Sequence, residues 1–320
     1  MKRVVCFGEA LIDFLNTGQQ REGDLQVNCF KQYPGGAPAN AAVAVAKLGG
    51  KAAFAGQVGN DQFGHFLLEA LRSYAVDTSL AAVHPDAPTA LAFVFLDASG
   101  ERSFSFRRNQ TADITITREQ VGMDWFQGKP VVHFCSNTLT DDHIADVTRF
   151  IVQRARERDA VVSFDVNLRH NLWPAGQADG GTVNELVRGS HIAKFAREEL
   201  EYLSAGDEDA YLASCFASGL VAALITDGPR DLVIRTAGAR ASVQPPKVTA
   251  VDTTGGGDAF IGAVLYGLSL QEDVMGCLTD IHRLQRLASS AAHCGAIAVT
   301  RQGAFPSFPT FAEVAESWSV

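Results

Sequence analysis

The chain has 320 residues, 47% of them hydrophobic and 20% charged, ample core for one large domain or two modest ones. A formal charge of −9 with no long basic run argues against nucleic acid and anionic membrane as partners, and no apolar stretch is long enough to span a bilayer. Six scattered cysteines (Cys6, Cys29, Cys135, Cys215, Cys277, Cys294) form no C-x-x-C pair and read as reduced thiols of a cytoplasmic protein; no histidine pair has metalloprotease spacing.

Residues 4–7 are a short apolar run ending at Gly8, as expected of a buried strand. The run is too short for a signal peptide, and Glu9 and Asp13 break it. Residues 15–33 are polar and mixed. A small-residue helix is expected over 39–48, with Pro38 near its first turn and Gly49 closing it. Residues 52–58 read as a strand and 63–74 carry helical apolar spacing. A strand over 89–96, a turn at 97–100 and period-two alternation over 103–106 predict a hairpin with one wet face.

From 131 onward strands alternate with helices. Strands are expected at 131–134, 160–165, 190–193, 222–226 and 232–236, and helices near 141–157, 182–188, 197–204 and 208–218. Two apolar helices follow, 258–269 and 281–298. The alternation predicts an α/β fold with a central, mainly parallel sheet covered on both faces. Residues 15–34 and 89–108 do not fit it. They are placed together as a small β lid on a large domain made of 1–14, 35–88 and 109–320. In such folds ligands bind at the carboxyl ends of the strands. Asp13, Asp165 to Asn167, Thr226 to Gly228 and the 252–258 loop all follow strands, so polar groups converge on one rim.

The run Asp252-Thr253-Thr254-Gly255-Gly256-Gly257-Asp258 ahead of an apolar helix is the most informative stretch. Glycines at a helix entrance leave bare N–H groups beside the positive end of the helix dipole, which suits an anion. An acid there would repel a resting anion. It makes sense as a base taking a proton from a nucleophile while the amides hold a transferring group. This suggests phosphoryl transfer, with Asp258 as base and the amides of Gly255, Gly256 and Gly257 as electrostatic clamp. Taken alone, the run favours a glycine-rich turn with Asp258 as N-cap, and the rest of the chain has to decide. No P-loop sequence occurs, and no G-x-G-x-x-G follows a strand, which disfavours a dehydrogenase.

The same run resembles the D-T-x-G-A-G-D signature of the ribokinase-like (PfkB) sugar kinases, with Gly256 in place of alanine. Gly35-Gly36-Ala37-Pro38-Ala39-Asn40 through Leu48-Gly49 resembles that family's N-terminal signature. Together with Phe164 to Arg169 and Leu172-Trp173-Pro174, the wording is most similar to the fructokinase branch. The resemblance spans essentially the whole chain. It implies a ribokinase-like three-layer sandwich with a β lid, ATP as phosphoryl donor, Mg²⁺ carried on the nucleotide, and K⁺, which many members need.

By resemblance, Asp258 is the base and Gly255 to Gly257 the anion hole, while Arg169 neutralises phosphate charge. Asp13, Gly35, Gly36, Asn40, Arg108 and Asn167 face the sugar. Thr226, Gly228, His293 and Ala296 face the nucleotide. Glu199 acts on Mg²⁺ indirectly, and Asp252 and Thr254 belong to the K⁺ loop. Plain structural roles compete on spacing alone: a turn former at Asp13, a helix-start polar residue at Asn40, a solvated Arg108, a solvated Glu199, a core histidine at His293.

The expected activity is transfer from MgATP to the 6-hydroxyl of fructose by a homodimer joined through the lid. Alternatives are a 2-keto-3-deoxygluconate kinase, which would need a cation such as Arg107 or Arg108 near the lid, a nucleoside kinase, and a non-catalytic sugar sensor.

Overall fold

The computed structural model describes residues 1–96 and 102–319. The turn expected at 97–100 lies outside these described residues. The elements in chain order are β1 (Arg3–Phe7), β2 (Leu11–Glu22), β3 (Leu25–Gly35), α1 (Ala37–Lys47), β4 (Lys51–Gly59), α2 (Gln62–Ser73), β5 (Asp77–His84), β6 (Leu91–Leu96) and β7 (Arg102–Arg107). There follow β8 (Val131–Cys135), α3 (Asp142–Glu157), β9 (Val161–Asp165), α4 (Gly180–Gly189), β10 (Ile192–Ala196), α5 (Arg197–Ser204), α6 (Glu208–Ala217) and β11 (Ala222–Thr226). The chain continues through β12 (Leu232–Thr236), β13 (Arg240–Val243), α7 (Gly256–Ser269), α8 (Val274–Thr279), α9 (Ile281–Ala298) and α10 (Phe311–Val314).

Nine strands form the central sheet in the order β13-β12-β11-β10-β9-β8-β1-β4-β5. Pairing is parallel from β11 to β5; the β11–β12 and β12–β13 pairings are antiparallel, so β12 alone runs against the other strands of this sheet. Successive side chains of a strand point to opposite faces. In β1, Val4 and Cys6 join one apolar layer with α1, α7 and α9, while Val5 and Phe7 join the other with α3 and α4. The result is the expected sandwich of a mainly parallel sheet between two helical layers.

The second sheet, β3-β2-β6-β7, has four strands. β2 pairs antiparallel with β3, placing Asp13 opposite Tyr33, and parallel with β6, placing Asp13 beside Ala92. Only the first residues of β2 are buried; from Gly18 on it is exposed. The hairpin therefore starts on the large domain and projects from it. On the lid, Phe14 stacks on Phe93 at 5.2 Å, and Phe30 meets Phe93 and Phe95 edge-on at 5.7 and 5.6 Å.

The strand expected at 190–193 instead covers Ile192–Ala196. A lysine in its middle, Lys194, made the run look as though it ended early. β5 and β13 carry few apolar residues in register, and α8 has its apolar residues at helical spacing but spans under two turns, too short for periodicity to show.

Candidate active site

Helix α7 begins at the glycine run. Gly255 is its N-cap at φ 75, the left-handed region, and a Cβ there would lie 2.9 Å from the Phe308 ring. Asp258 is the third helical residue and does not cap the helix, so the plain N-cap reading of Asp258 is corrected. Its Oδ2 accepts instead from Asn40 Nδ2 at 2.7 Å. Loss of water raises the Asp258 carboxyl above the ordinary carboxylate range, with Asn40, Arg169 and Lys194 pulling the other way.

Asn40 reaches Asp258 because α1 and α7 pack closely. α1 presents alanines, and Gly262, one turn beyond Asp258, leaves no side chain between them; a Cβ on Gly262 would sit 2.4 Å from Ala44 Cβ. α1 itself begins at Gly36, whose φ of 103 suits glycine and where a Cβ would meet the Glu9 carbonyl oxygen at 2.5 Å. Gly35 lies against Asp13: a Cβ would fall 2.1 Å from Asp13 Oδ2. Asp13, Gly35, Gly36, Asn40 and Asp258 thus form one side of the rim.

On the other side, a cavity of about 410 Å³ is lined by Thr226, Gly228, Gly256, Gly257, Ala292, Gly295 and Ala296 among others. That volume suits a small ligand. His293 is not among its lining residues; its Nδ1 lies 2.9 Å from the Ser289 carbonyl oxygen, one turn back along α9. Gly256 and Gly257 line the cavity while Asp258, the next residue, holds Asn40, so Asp258 stands where the two sides meet.

Beneath the glycine run lies a charged cluster. Lys194 Nζ is 3.0 Å from Asp165 Oδ1, and the two side chains are 8% and 3% exposed. The ammonium is the nearest atom to a Cβ built on Gly257, at 3.4 Å. Burial alone would push Lys194 down, but Asp165 and Glu199 outweigh it and hold the ammonium above the usual lysine range. Glu199 is buried, not solvated: its two oxygens accept from the Leu168 and Ala196 N–H groups, both at 2.7 Å. It thereby anchors the 166–169 turn. In that turn Asn167 is buried at φ 35, a left-handed conformation unusual for a non-glycine residue, and its carbonyl accepts from Ser136 Oγ. Arg169 is exposed, and its charge reaches both Asp165 and Asp258.

Arg108 is likewise not a solvated residue. Its guanidinium donates to Asp113 at 2.6 Å, the Asn137 carbonyl at 2.8 Å and Thr140 Oγ1 at 3.1 Å. Buried Glu9 lies nearby and accepts from Ala37 N–H and Asn137 Nδ2. Burial raises the Glu9 carboxyl, opposed first by Arg108. Asp252 accepts from Thr254 N–H at 2.7 Å and Gly303 N–H at 3.0 Å, tying the loop ahead of α7 to the 303 turn. Sequence reasoning missed Lys194, Glu9 and Asn137. For Lys194 the signal was present: a single charge inside an otherwise apolar strand.

Residues 1–310 match the model of the pfkB family carbohydrate kinases. A probable fructokinase-4 of Arabidopsis thaliana is 37% identical over 97% of this chain and 95% of its own length. A Xylella fastidiosa fructokinase solved with bound ATP has a TM-score of 0.92 at 38% identity, covering 98% of this chain and 97% of that one. A double-mutant Vibrio cholerae fructokinase, solved with fructose, ADP and potassium ion, has a TM-score of 0.87 at 32% identity, covering 100% and 99%.

Proposed function

The chain belongs to the pfkB family of carbohydrate kinases, and on that premise we propose that it transfers the γ-phosphate of MgATP to the 6-hydroxyl of fructose. The observation that carries this is the place of Asp258, bonded to Asn40 on the rim side and one residue from the cavity-lining Gly257. Asp258 takes the hydroxyl proton. The freed oxygen attacks the γ-phosphorus, the bond to the β-phosphate oxygen breaks, and ADP leaves. The first amides of α7 and Arg169 face the negative charge that spreads over the transferring group. Mg²⁺, carried on the nucleotide, would supply positive charge to offset that of the phosphates. Glu199, both of whose oxygens already accept backbone N–H groups, would act on it through water.

Fructose lies against Asp13, Gly35, Gly36 and Asn40, with Asn167 and Arg108 behind, and ATP fills the cavity along Thr226, Gly228 and Ala296. The relatives solved with ATP, and with fructose, ADP and potassium, support this arrangement. A potassium ion fits the loop of Asp252 and Thr254. His293 would contribute through its helix rather than by touching adenine. Lid closure excludes water, which otherwise competes as acceptor.

Leu25, Val27 and Phe30 are exposed on the lid hairpin, and a second copy of the chain is their natural cover. Among the described residues no helix is long and apolar enough to cross a membrane, and all six cysteines are free, which supports a cytoplasmic setting. A keto-acid substrate needs a cation beside the lid. Arg108 is committed to Asp113, Asn137 and Thr140, so of the two arginines expected to serve a keto acid Arg107 alone is left, and it is exposed, which favours fructose.

ADP formation with MgATP across fructose, 2-keto-3-deoxygluconate, ribose and adenosine tests the reading, with the product identified by NMR. Fructose should lead and give the 6-phosphate. Turnover confined to the keto acid would move the substrate, and sugar binding without turnover would mean a sensor.

A further inference from the structure

We infer that Asn137 is a sugar-specificity residue: its side-chain oxygen accepts a hydrogen bond from a hydroxyl of the bound ketose, in an orientation fixed by Glu9. The inference rests on the fructose-kinase reading above. Asn137 follows β8 in a short 3-10 turn and is 7% exposed. Its Nδ2 donates to Glu9 Oε1 at 2.9 Å, and that same oxygen accepts from Ala37 N–H, the first helical residue of α1, at 3.1 Å. Burial raises the Glu9 carboxyl and Arg108 opposes this, but the oxygen that takes the Ala37 N–H is an acceptor in either protonation state. The amide must therefore turn its NH₂ to Glu9, because the opposite rotamer would set oxygen against oxygen. The backbone carbonyl of Asn137 is also spoken for, by Arg108 and by Thr140 Oγ1.

Oδ1 is left. It is buried and has no hydrogen-bond donor among the described residues. Folded proteins seldom leave such an acceptor unmet, and a donor from outside the chain is the ordinary reason. The same device occurs once more on this rim. Asn40 gives its Nδ2 to a carboxylate, Asp258, and its Oδ1 is likewise buried without a donor. The two amides are linked through the start of α1, since Glu9 holds Ala37 and Asn40 N–H closes onto the Gly36 carbonyl at 2.8 Å. Two acceptors, each oriented by a buried carboxylate, suit a ligand that brings several hydroxyl donors and poorly suit one that brings none. A site that must satisfy such acceptors also rejects sugars lacking the matching hydroxyl.

The test compares wild type, Asn137→Ala and Asn137→Leu, which fills the space of the asparagine without either polar atom. KM for fructose and for ATP are measured for each, then repeated with 1-, 3- and 4-deoxyfructose. Asn137→Ala should raise KM for fructose about tenfold or more, with KM for ATP little changed. One deoxysugar should bind wild type as poorly as it binds the variant, while the others lose ground in both. Asn137→Leu should raise the fructose KM at least as much as Asn137→Ala. An unchanged fructose KM would overturn the inference. So would an equal penalty for every deoxysugar, the mark of a structural role or of a resident water. If Asn137→Ala does not fold, Asn137→Leu decides: a fructose KM like that of wild type sinks the claim. A wild type that turns over fructose while both variants match it rejects Asn137 alone. A wild type inactive on fructose rejects the substrate reading and this inference with it.

Discussion

Replacing Gly262 by alanine probes the contact that brings Asn40 to Asp258. The new Cβ would lie 2.4 Å from Ala44 Cβ and 3.1 Å from the Ala41 carbonyl oxygen. Carbon atoms in contact rest about 3.5–4.0 Å apart, so α1 and α7 must part by roughly 1 Å or more. The Asn40–Asp258 bond, now 2.7 Å, would then open to about 3.7 Å, beyond hydrogen-bonding distance. Overpacking costs about 1–3 kcal/mol, and removing a mid-helix glycine returns about 1 kcal/mol, so the net loss of stability is modest. A base displaced by roughly 1 Å can lose about 100-fold in rate. Gly262→Ala should therefore lower kcat far more than its change in thermal midpoint suggests. Adding Ala44→Gly removes the offending methyl and should restore most of the activity despite its own cost to the helix. The readouts are kcat for fructose, thermal unfolding, and the coupling between the two substitutions. Wild-type kcat in Gly262→Ala, or a double variant no better than the single, would refute the argument.

Three further outcomes are expected. Protonated Asp258 cannot take a proton, and its carboxyl is raised, so kcat/KM should fall on the acid side at a pH above that of an ordinary aspartate; a pH profile with no such limb contradicts this. Lys194→Met should cost about 3–5 kcal/mol in chemical denaturation by stranding Asp165, and should weaken ATP more than fructose; the opposite ranking of KM values would remove Lys194 from the phosphate side. Leu25→Ser with Phe30→Ser should convert a dimer to a monomer in sedimentation, and a wild type already monomeric would end the lid-interface proposal.

Much of the fold was legible. β1 and β4 are apolar runs between breakers, and α7 and α9 are apolar helices longer than strands can be, so periodicity located them within a few residues. The hairpin of β2 and β3 was visible only as a misfit, because most of its residues face water on both sides and carry no period-two signal. The glycine run and Asp258 stood out through composition. What periodicity cannot show is the partner a polar side chain meets across the fold. On spacing alone Arg108 suited a solvated surface about as well as the sugar side; Asp113 and Asn137 close around it instead, and Asn137 itself reads as one more polar residue in a loop. Spacing alone could not separate the Mg²⁺ role implied for Glu199 from that of a solvated acid among its neighbours, yet its position in α5 turns it onto the 168 and 196 amides.

The central claim is that Asp258 removes the proton from the sugar hydroxyl. Asp258→Asn keeps the shape, and its side-chain oxygen can still accept from Asn40. The raised carboxyl means the folded state holds its proton more tightly than the unfolded chain. Its stabilising share is present below the unfolded pKa and lost as pH rises through the folded one, so at neutral pH ionised Asp258 is a cost. The variant should therefore melt no lower than wild type at neutral pH and bind fructose and ATP comparably. The decisive measurement is its single-turnover rate of fructose phosphorylation with MgATP. The account predicts a fall of about 100-fold or more with binding retained; a rate within a few-fold of wild type would contradict it.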